Sequence, residues 1–129
     1  MACGAARIMI VDDNAPVREG IRALLTSRSA FEICGEAGDG REAIEKVQEL
    51  HPDLVILDYL MPGMNGIEAA REIRYRSPSV KIVMFTMHDS PEFTVLAEQA
   101  GADAVVPKSG SALSLIDAVN RVLEGHFKS

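Results

Sequence analysis

Asp53-Leu54-Val55-Ile56-Leu57-Asp58-Tyr59-Leu60-Met61-Pro62-Gly63-Met64-Asn65-Gly66 carries an acid to the end of a short apolar run and then breaks sharply. Leu54 to Leu57 are too few for a typical helix and too uniformly apolar for a strand with one wet face. They read as a strand buried on both sides of a parallel sheet. Asp58 then sits at the strand's carboxyl end. Pro62-Gly63 marks the exit loop, and Asn65 with Glu68 three residues later has the spacing of a capping box that opens a helix. The segment is one β-α unit, and its acid is the candidate reactive group.

The same unit recurs on either side. Ile8 to Val11 form an apolar strand ending in Asp12-Asp13, and Asn14 can cap a helix with Val17, Ile21, Leu24 and Leu25 at helical spacing. Phe31 to Ala37 read as a second strand. Asp39 with Glu42 predicts another capping box, leading into Ala43, Ile44, Val47 and Leu50, and His51-Pro52 stops that helix. After the central unit, whose helix faces inward through Ile67, Ala70 and Ile73, Ser77-Pro78-Ser79 closes the turn. Lys81 to Phe85 make a fourth strand finishing at Thr86, and Ser90-Pro91 starts a helix with proline where its missing N–H costs nothing. Phe93, Leu96 and Ala100 are expected on that helix's inner face, with Gly101 at its end. Ala104 to Val106 are a short fifth strand. Pro107-Lys108 precede a last helix carrying Leu115, Ile116, Val119, Val122 and Leu123.

Five strands alternating with five helices predict an α/β, doubly wound parallel sheet, because right-handed crossovers place helices on both faces. At 129 residues the chain has room for one core and one domain. No apolar run approaches the ~20 residues that cross a bilayer, and the first residues do not form a secretory signal. A soluble, cytoplasmic protein without a membrane partner is expected. Cys3 and Cys34 show neither a disulfide framework nor metal-ligand spacing and read as free thiols. The net charge of −6, with no Lys/Arg cluster, weighs against a nucleic-acid surface.

In such a sheet every strand ends on one rim, and ligands bind outside those ends. Asp12, Asp13, Asp58, Thr86 and Lys108 all fall there. Three carboxylates brought together repel one another and require a cation. Hard oxygen donors with room for water suit Mg²⁺, which completes its shell with water and substrate phosphate. Asp58 can then act as a nucleophile that accepts a phosphoryl group, while Lys108 and the metal offset charge and Thr86 donates a hydroxyl. An isolated Asp-Asp pair is more often a helix cap or a solvated turn, but the further matches at strand ends, Asp58, Thr86 and Lys108, change that balance.

Ile8-Met9-Ile10-Val11-Asp12-Asp13, Leu57-Asp58-Tyr59-Leu60-Met61-Pro62-Gly63-Met64-Asn65-Gly66, Met84-Phe85-Thr86 and Val106-Pro107-Lys108 together resemble a response-regulator receiver domain. Within that family, the stretch from Met61 to Arg74 is similar to receivers of LuxR/FixJ-type transcription regulators. The resemblance implies a flavodoxin-like sheet of order 2-1-3-4-5, as in CheY. It implies one receiver domain over 1–129, with its core at about residues 6–125 and no output domain in this chain, so that DNA would be reached only through such a domain. It implies transfer from the phosphohistidine of a sensor kinase or phosphotransfer protein to Asp58. Asp13 would ligate Mg²⁺ directly, Asp12 largely through water, and the Leu60 backbone carbonyl would be a further ligand. Thr86 would move toward the phosphoryl group and rearrange the face made by the fourth helix, fifth strand and fifth helix. A homodimer through the last helices is compatible with the sequence, although no residue pattern selects it.

Two positions depart from the family pattern. Val105 stands where an aromatic is common, and Pro107 precedes the lysine while Ser109 follows it. Leu60 and His88 occupy the two positions that tune aspartyl-phosphate hydrolysis in the family. The regulator's chemistry would be limited to its own phosphorylation and dephosphorylation. A protein-binding module that keeps the site without switching is the alternative. An aspartyl-nucleophile phosphohydrolase fits less well, because such enzymes want a second acid where Leu60 stands. A flavin protein fits poorly too, since two acids follow the first strand where a phosphate cradle avoids negative charge. His51, His88 and His126 read as surface or loop residues rather than metal ligands. Met61, Met64, Met84 and Met87 read as gap-fillers of the core or site wall. Arg71, Arg74 and Arg76 read as one solvated helix face.

Overall fold

The computed structural model describes residues 5–88 and 90–124. Cys3 and His126 lie outside the described residues. In chain order the elements are β1 (Ala6–Val11), α1 (Ala15–Thr26), β2 (Phe31–Ala37), α2 (Gly40–Leu50), β3 (Leu54–Leu57), α3 (Gly66–Arg76), β4 (Lys81–Thr86), α4 (Pro91–Gln99), β5 (Ala104–Pro107) and α5 (Ala112–Leu123). All strand pairs are parallel, and the order is β2-β1-β3-β4-β5, as expected.

Side-chain alternation divides the core into two layers. Met9, Val11, Val55, Leu57, Ile82 and Met84 face α2, α3 and α4, packing on Val47, Ala70, Ile73 and Ala97. Ile8, Ile10, Leu54, Ile56 and Val83 face α1 and α5, packing on Ile21, Leu25, Leu115 and Val119. The uniformly apolar Leu54–Leu57 follows directly, for β3 is the central strand and all four residues are buried.

The helix starts form largely as the sequence dictates. Asn14, Asn65 and Ser90 each accept the backbone N–H three residues on. Asn65 and Glu68 form the full capping box, with both bonds at 2.9 Å. The box expected at Asp39 is only half made. Asp39 accepts from Glu42 N at 2.8 Å, but Glu42 reaches past it to Gly38 N at 2.9 Å while pairing with Lys46 at 3.1 Å. At its far end α2 stops at His51, whose positive φ of 52° cannot continue the helix.

Three other expectations need correction. Leu96 is 51% exposed, and Ala97 takes the inner position because α4 buries the stripe Phe93, Ala97, Ala100. Met87 is 66% exposed and fills no gap, unlike buried Met84 and partly buried Met61 and Met64. Arg74 is not on a solvated face. Its guanidinium donates to the carbonyls of Pro78, Val80 and Gly101 and pairs with Asp103 at 3.0 Å, stapling α3 to the turns before β4 and β5. Cys34 lies in β2 as predicted, at an irregularity where Ile8 pairs with Ile33 and Met9 with Gly35. Burial raises the Cys34 thiol pKa, with nearby Arg7 opposing the rise.

Candidate functional site

The ladder runs past the strands and fixes the acids side by side. Asp12 N donates to Ala37 O at 3.1 Å, and Asp58 N donates to Val11 O at 3.0 Å, so the residues following β1 and β3 meet at the carboxyl rim. Asp12, Asp13 and Asp58 each present a carboxylate oxygen within 4.8 Å of the others. Asp12 is 2% exposed and Asp58 7%, whereas Asp13 faces solvent. Lys108 arrives from beyond β5, its backbone N–H held by Thr86 O at 2.8 Å. The ammonium donates to Asp12 Oδ2 at 2.8 Å and lies 3.4 Å from Asp58 Oδ2.

Burial and the Asp12 charge both push the Asp58 carboxyl pKa up, and Lys108 offsets only part of that rise. Burial by itself would lower the Lys108 pKa, but the Asp12 hydrogen bond and the Asp58 charge raise it above the ordinary lysine value. One ammonium cannot neutralise three carboxylates, and the shortfall is what a divalent cation would supply. The donor set suits a hard cation: three carboxylates, one of them open to water. Asp12 has both oxygens engaged, Oδ1 by Asn14 N at 2.9 Å and Oδ2 by Lys108.

Thr86 is fully buried at the end of β4, where its hydroxyl oxygen accepts from His88 N at 3.2 Å. Asp58 Oδ1 accepts from the amide of Tyr59 at 2.8 Å. Leu60 lies in the exit loop with its side chain 59% exposed. Gly66 is in close contact with the backbone just beyond β3, since a Cβ there would lie 2.1 Å from Asp58 O. Gly66 N also donates to Tyr59 O at 2.7 Å, which draws the start of α3 against the acid.

Beside the acids, the Tyr59 ring packs edge-on against His88 and Phe93, with both centroid separations 4.9 Å. His88 thus connects the loop after β3 with α4. Val105 is half-buried against the core layer beneath α4, in register with Met84. Sequence reading brought Asp12, Asp13, Asp58, Thr86 and Lys108 to this rim. It missed Arg18, whose guanidinium donates to the Asp12 carbonyl and to Glu36, and the close approach of Gly66. The only local signal for Arg18 was its spacing of four from both Asn14 and Arg22.

The chain matches the response regulator receiver domain family over residues 8–120. It is 38% identical over 121 residues to response regulator protein VraR of Staphylococcus epidermidis, covering 94% of this chain and 58% of that protein. The chain therefore spans a little over half the length of this curated relative. A LuxR-family two-component response regulator from an Aurantimonas species is 41% identical with a TM-score of 0.91, the match covering 94% of this chain and 86% of that one. CheY of Borrelia burgdorferi, solved in complex with CheX, BeF3 and Mg²⁺, is 25% identical with a TM-score of 0.86, covering 91% and 88% of the two chains.

Proposed function

Because the chain belongs to the response regulator receiver domain family, we propose that Asp58 is its phosphoacceptor and that Asp12 and Asp13 hold Mg²⁺ beside it. The observation that supports this most is a buried carboxylate at a strand end, flanked by two further acids and contacted by a lysine. The donor is the phosphohistidine of a sensor histidine kinase or phosphotransfer protein. An Asp58 carboxylate oxygen attacks phosphorus, the P–N bond breaks, and the imidazole leaves with its electron pair and takes up a proton. Bound Mg²⁺ supplies positive charge to the phosphoryl oxygens.

Asp13, being exposed, would hold Mg²⁺ directly, while Asp12, whose Oδ1 is engaged by the Asn14 amide, would act largely through water. Asp58 and the Leu60 backbone carbonyl would be further ligands. Lys108, released from Asp12, pairs with a phosphoryl oxygen, and Thr86 turns its hydroxyl toward the same group. That movement draws on the His88 contact and so reaches α4, changing which partner the face of α4, β5 and α5 binds. The chain is a receiver that catalyses only its own phosphorylation and dephosphorylation in the cytoplasm. DNA is affected through an output domain of the kind its longer relatives carry.

The test is to treat the chain with a small-molecule phosphodonor and Mg²⁺, reduce with borohydride and sequence the peptides. Acyl phosphate at Asp58 reads as homoserine at residue 58, and label at any other acid contradicts the assignment. Val105 favours a second reading, a binding module that keeps the site without switching, because a half-buried valine has no ring to swing. Under that reading a phosphoryl mimic leaves the amide resonances of α4 and β5 unmoved.

A further inference from the structure

The side-chain cluster behind the acids, formed by α1 and β2, points to a residue that acts on the site without entering it. Arg18 of α1 donates through Nη1 to the backbone carbonyl of Asp12 and through Nε to Glu36 Oε1 of β2, the latter at 3.0 Å. Arg22, one turn on, donates to the other Glu36 oxygen, Nε to Oε2 at 2.8 Å, and does not reach Asp12. Lys46 of α2 donates to the Glu36 carbonyl at 2.6 Å. Glu36 stays charged in this setting: burial raises its carboxyl pKa, but Arg22 and Arg18 together take it below the ordinary value. The Arg18 side chain is 21% exposed and Glu36 25%, so the pair is fixed within the surface rather than waving in water.

The Asp12 carbonyl is the first one beyond β1. Its oxygen shares one rigid peptide plane with the amide nitrogen of Asp13. Fixing that oxygen fixes the plane from which the Asp13 side chain hangs. Asp12 N is held by Ala37 O, Oδ1 by Asn14 N and Oδ2 by Lys108, which leaves the carbonyl as the remaining handle on this turn. We infer that Arg18 is a positioning residue of the metal site: braced on Glu36, it sets the Asp12–Asp13 peptide so that the exposed Asp13 carboxylate is preorganised for Mg²⁺. The inference rests on the metal reading given above. Groups that orient a metal ligand at one remove typically change affinity 10- to 100-fold when lost.

Arg22 provides the control, since it shares Glu36 but not the Asp12 carbonyl. Mg²⁺ is titrated into the isotope-labelled full chain, following the amides of Asp13 and Tyr59, for the wild type, Arg18→Ala and Arg22→Ala, with urea midpoints measured in parallel. Arg18→Ala is expected to weaken Mg²⁺ about tenfold or more, while Arg22→Ala stays within about twofold of the wild type whatever its midpoint. Should Arg18→Ala not fold, Arg18→Gln replaces it with the same expectation, because its shorter amide cannot span Glu36 and the Asp12 carbonyl together. An unchanged affinity in the Arg18 variant, or an equal loss in Arg22→Ala, overturns the inference. A wild type that moves no amide on adding Mg²⁺ overturns the metal reading itself.

Discussion

Asp58 carries a stability penalty for its burial beside Asp12. Burial and the nearby Asp12 charge raise its pKa in the folded chain, so the metal-free native state binds its proton more tightly than the unfolded state does. The sign follows: this group's contribution is most favourable below the unfolded value of ~3.9 and declines as pH rises through the raised native value. Asp58→Asn removes that decline, and we expect it to be more stable than the wild type by ~1 kcal/mol at neutral pH without metal, with the gap shrinking on acidification. Urea midpoints from pH 4 to 8 check this; a gap that widens toward low pH contradicts it. The ionisable residues of the rim were legible because each ends an apolar run. Arg18 and Arg74 were not, since their partners lie on other elements: Glu36 for one, Gly101 and Asp103 for the other. Helical spacing, the one local signal at Arg18, does not by itself distinguish a bracing arginine from a solvated one.

At the scale of elements, the start of α3 matters most to the site. Asn65 and Glu68 close its capping box, and Gly66 lies where any Cβ would meet the Asp58 and Tyr59 backbone, at 2.1 Å and 2.8 Å. Backbone cannot move aside as a flexible side chain can. Gly66→Ala is therefore predicted to cost about 2 kcal/mol or more and to shift the exit loop carrying the acid. The check pairs an unfolding curve with the amide shifts of Asp58 and Tyr59, and an alanine variant of wild-type stability with unmoved shifts would refute the close approach. The caps were legible from residue type and spacing, as Asn65 shows. Where a side chain had a choice of partner they were not, and Glu42 takes Gly38 N rather than the Asp39 amide. The inner face of α4 was misread at Leu96 for a related reason. Hydrophobicity favours leucine, but geometry awards the buried stripe to alanine at 97.

For the molecule as a whole, the alternation of strands and helices determined the layers, and the receiver resemblance supplied the order of strands. The central strand's apolar run, the two-sided core and the polar rim are one consequence of the parallel topology. Excess negative charge on the rim carboxylates, ion-paired by Lys108 alone in the described residues, would couple the proposed Mg²⁺ binding to the stability of the entire fold. At a Mg²⁺ concentration ten times its dissociation constant, the native state should gain ~1.4 kcal/mol. A thermal unfolding series in Mg²⁺ measures this, and Asp13→Asn should abolish most of the gain; a Mg²⁺ response undiminished in that variant would place the cation elsewhere.

The most direct test of phosphoryl acceptance is the intact mass of the chain after incubation with a small-molecule phosphodonor, comparing the wild type with Asp58→Asn, with and without Mg²⁺. We predict a single added phosphoryl group that needs both Asp58 and Mg²⁺. An adduct that persists in Asp58→Asn, or no adduct on the wild type in saturating Mg²⁺, would contradict the account.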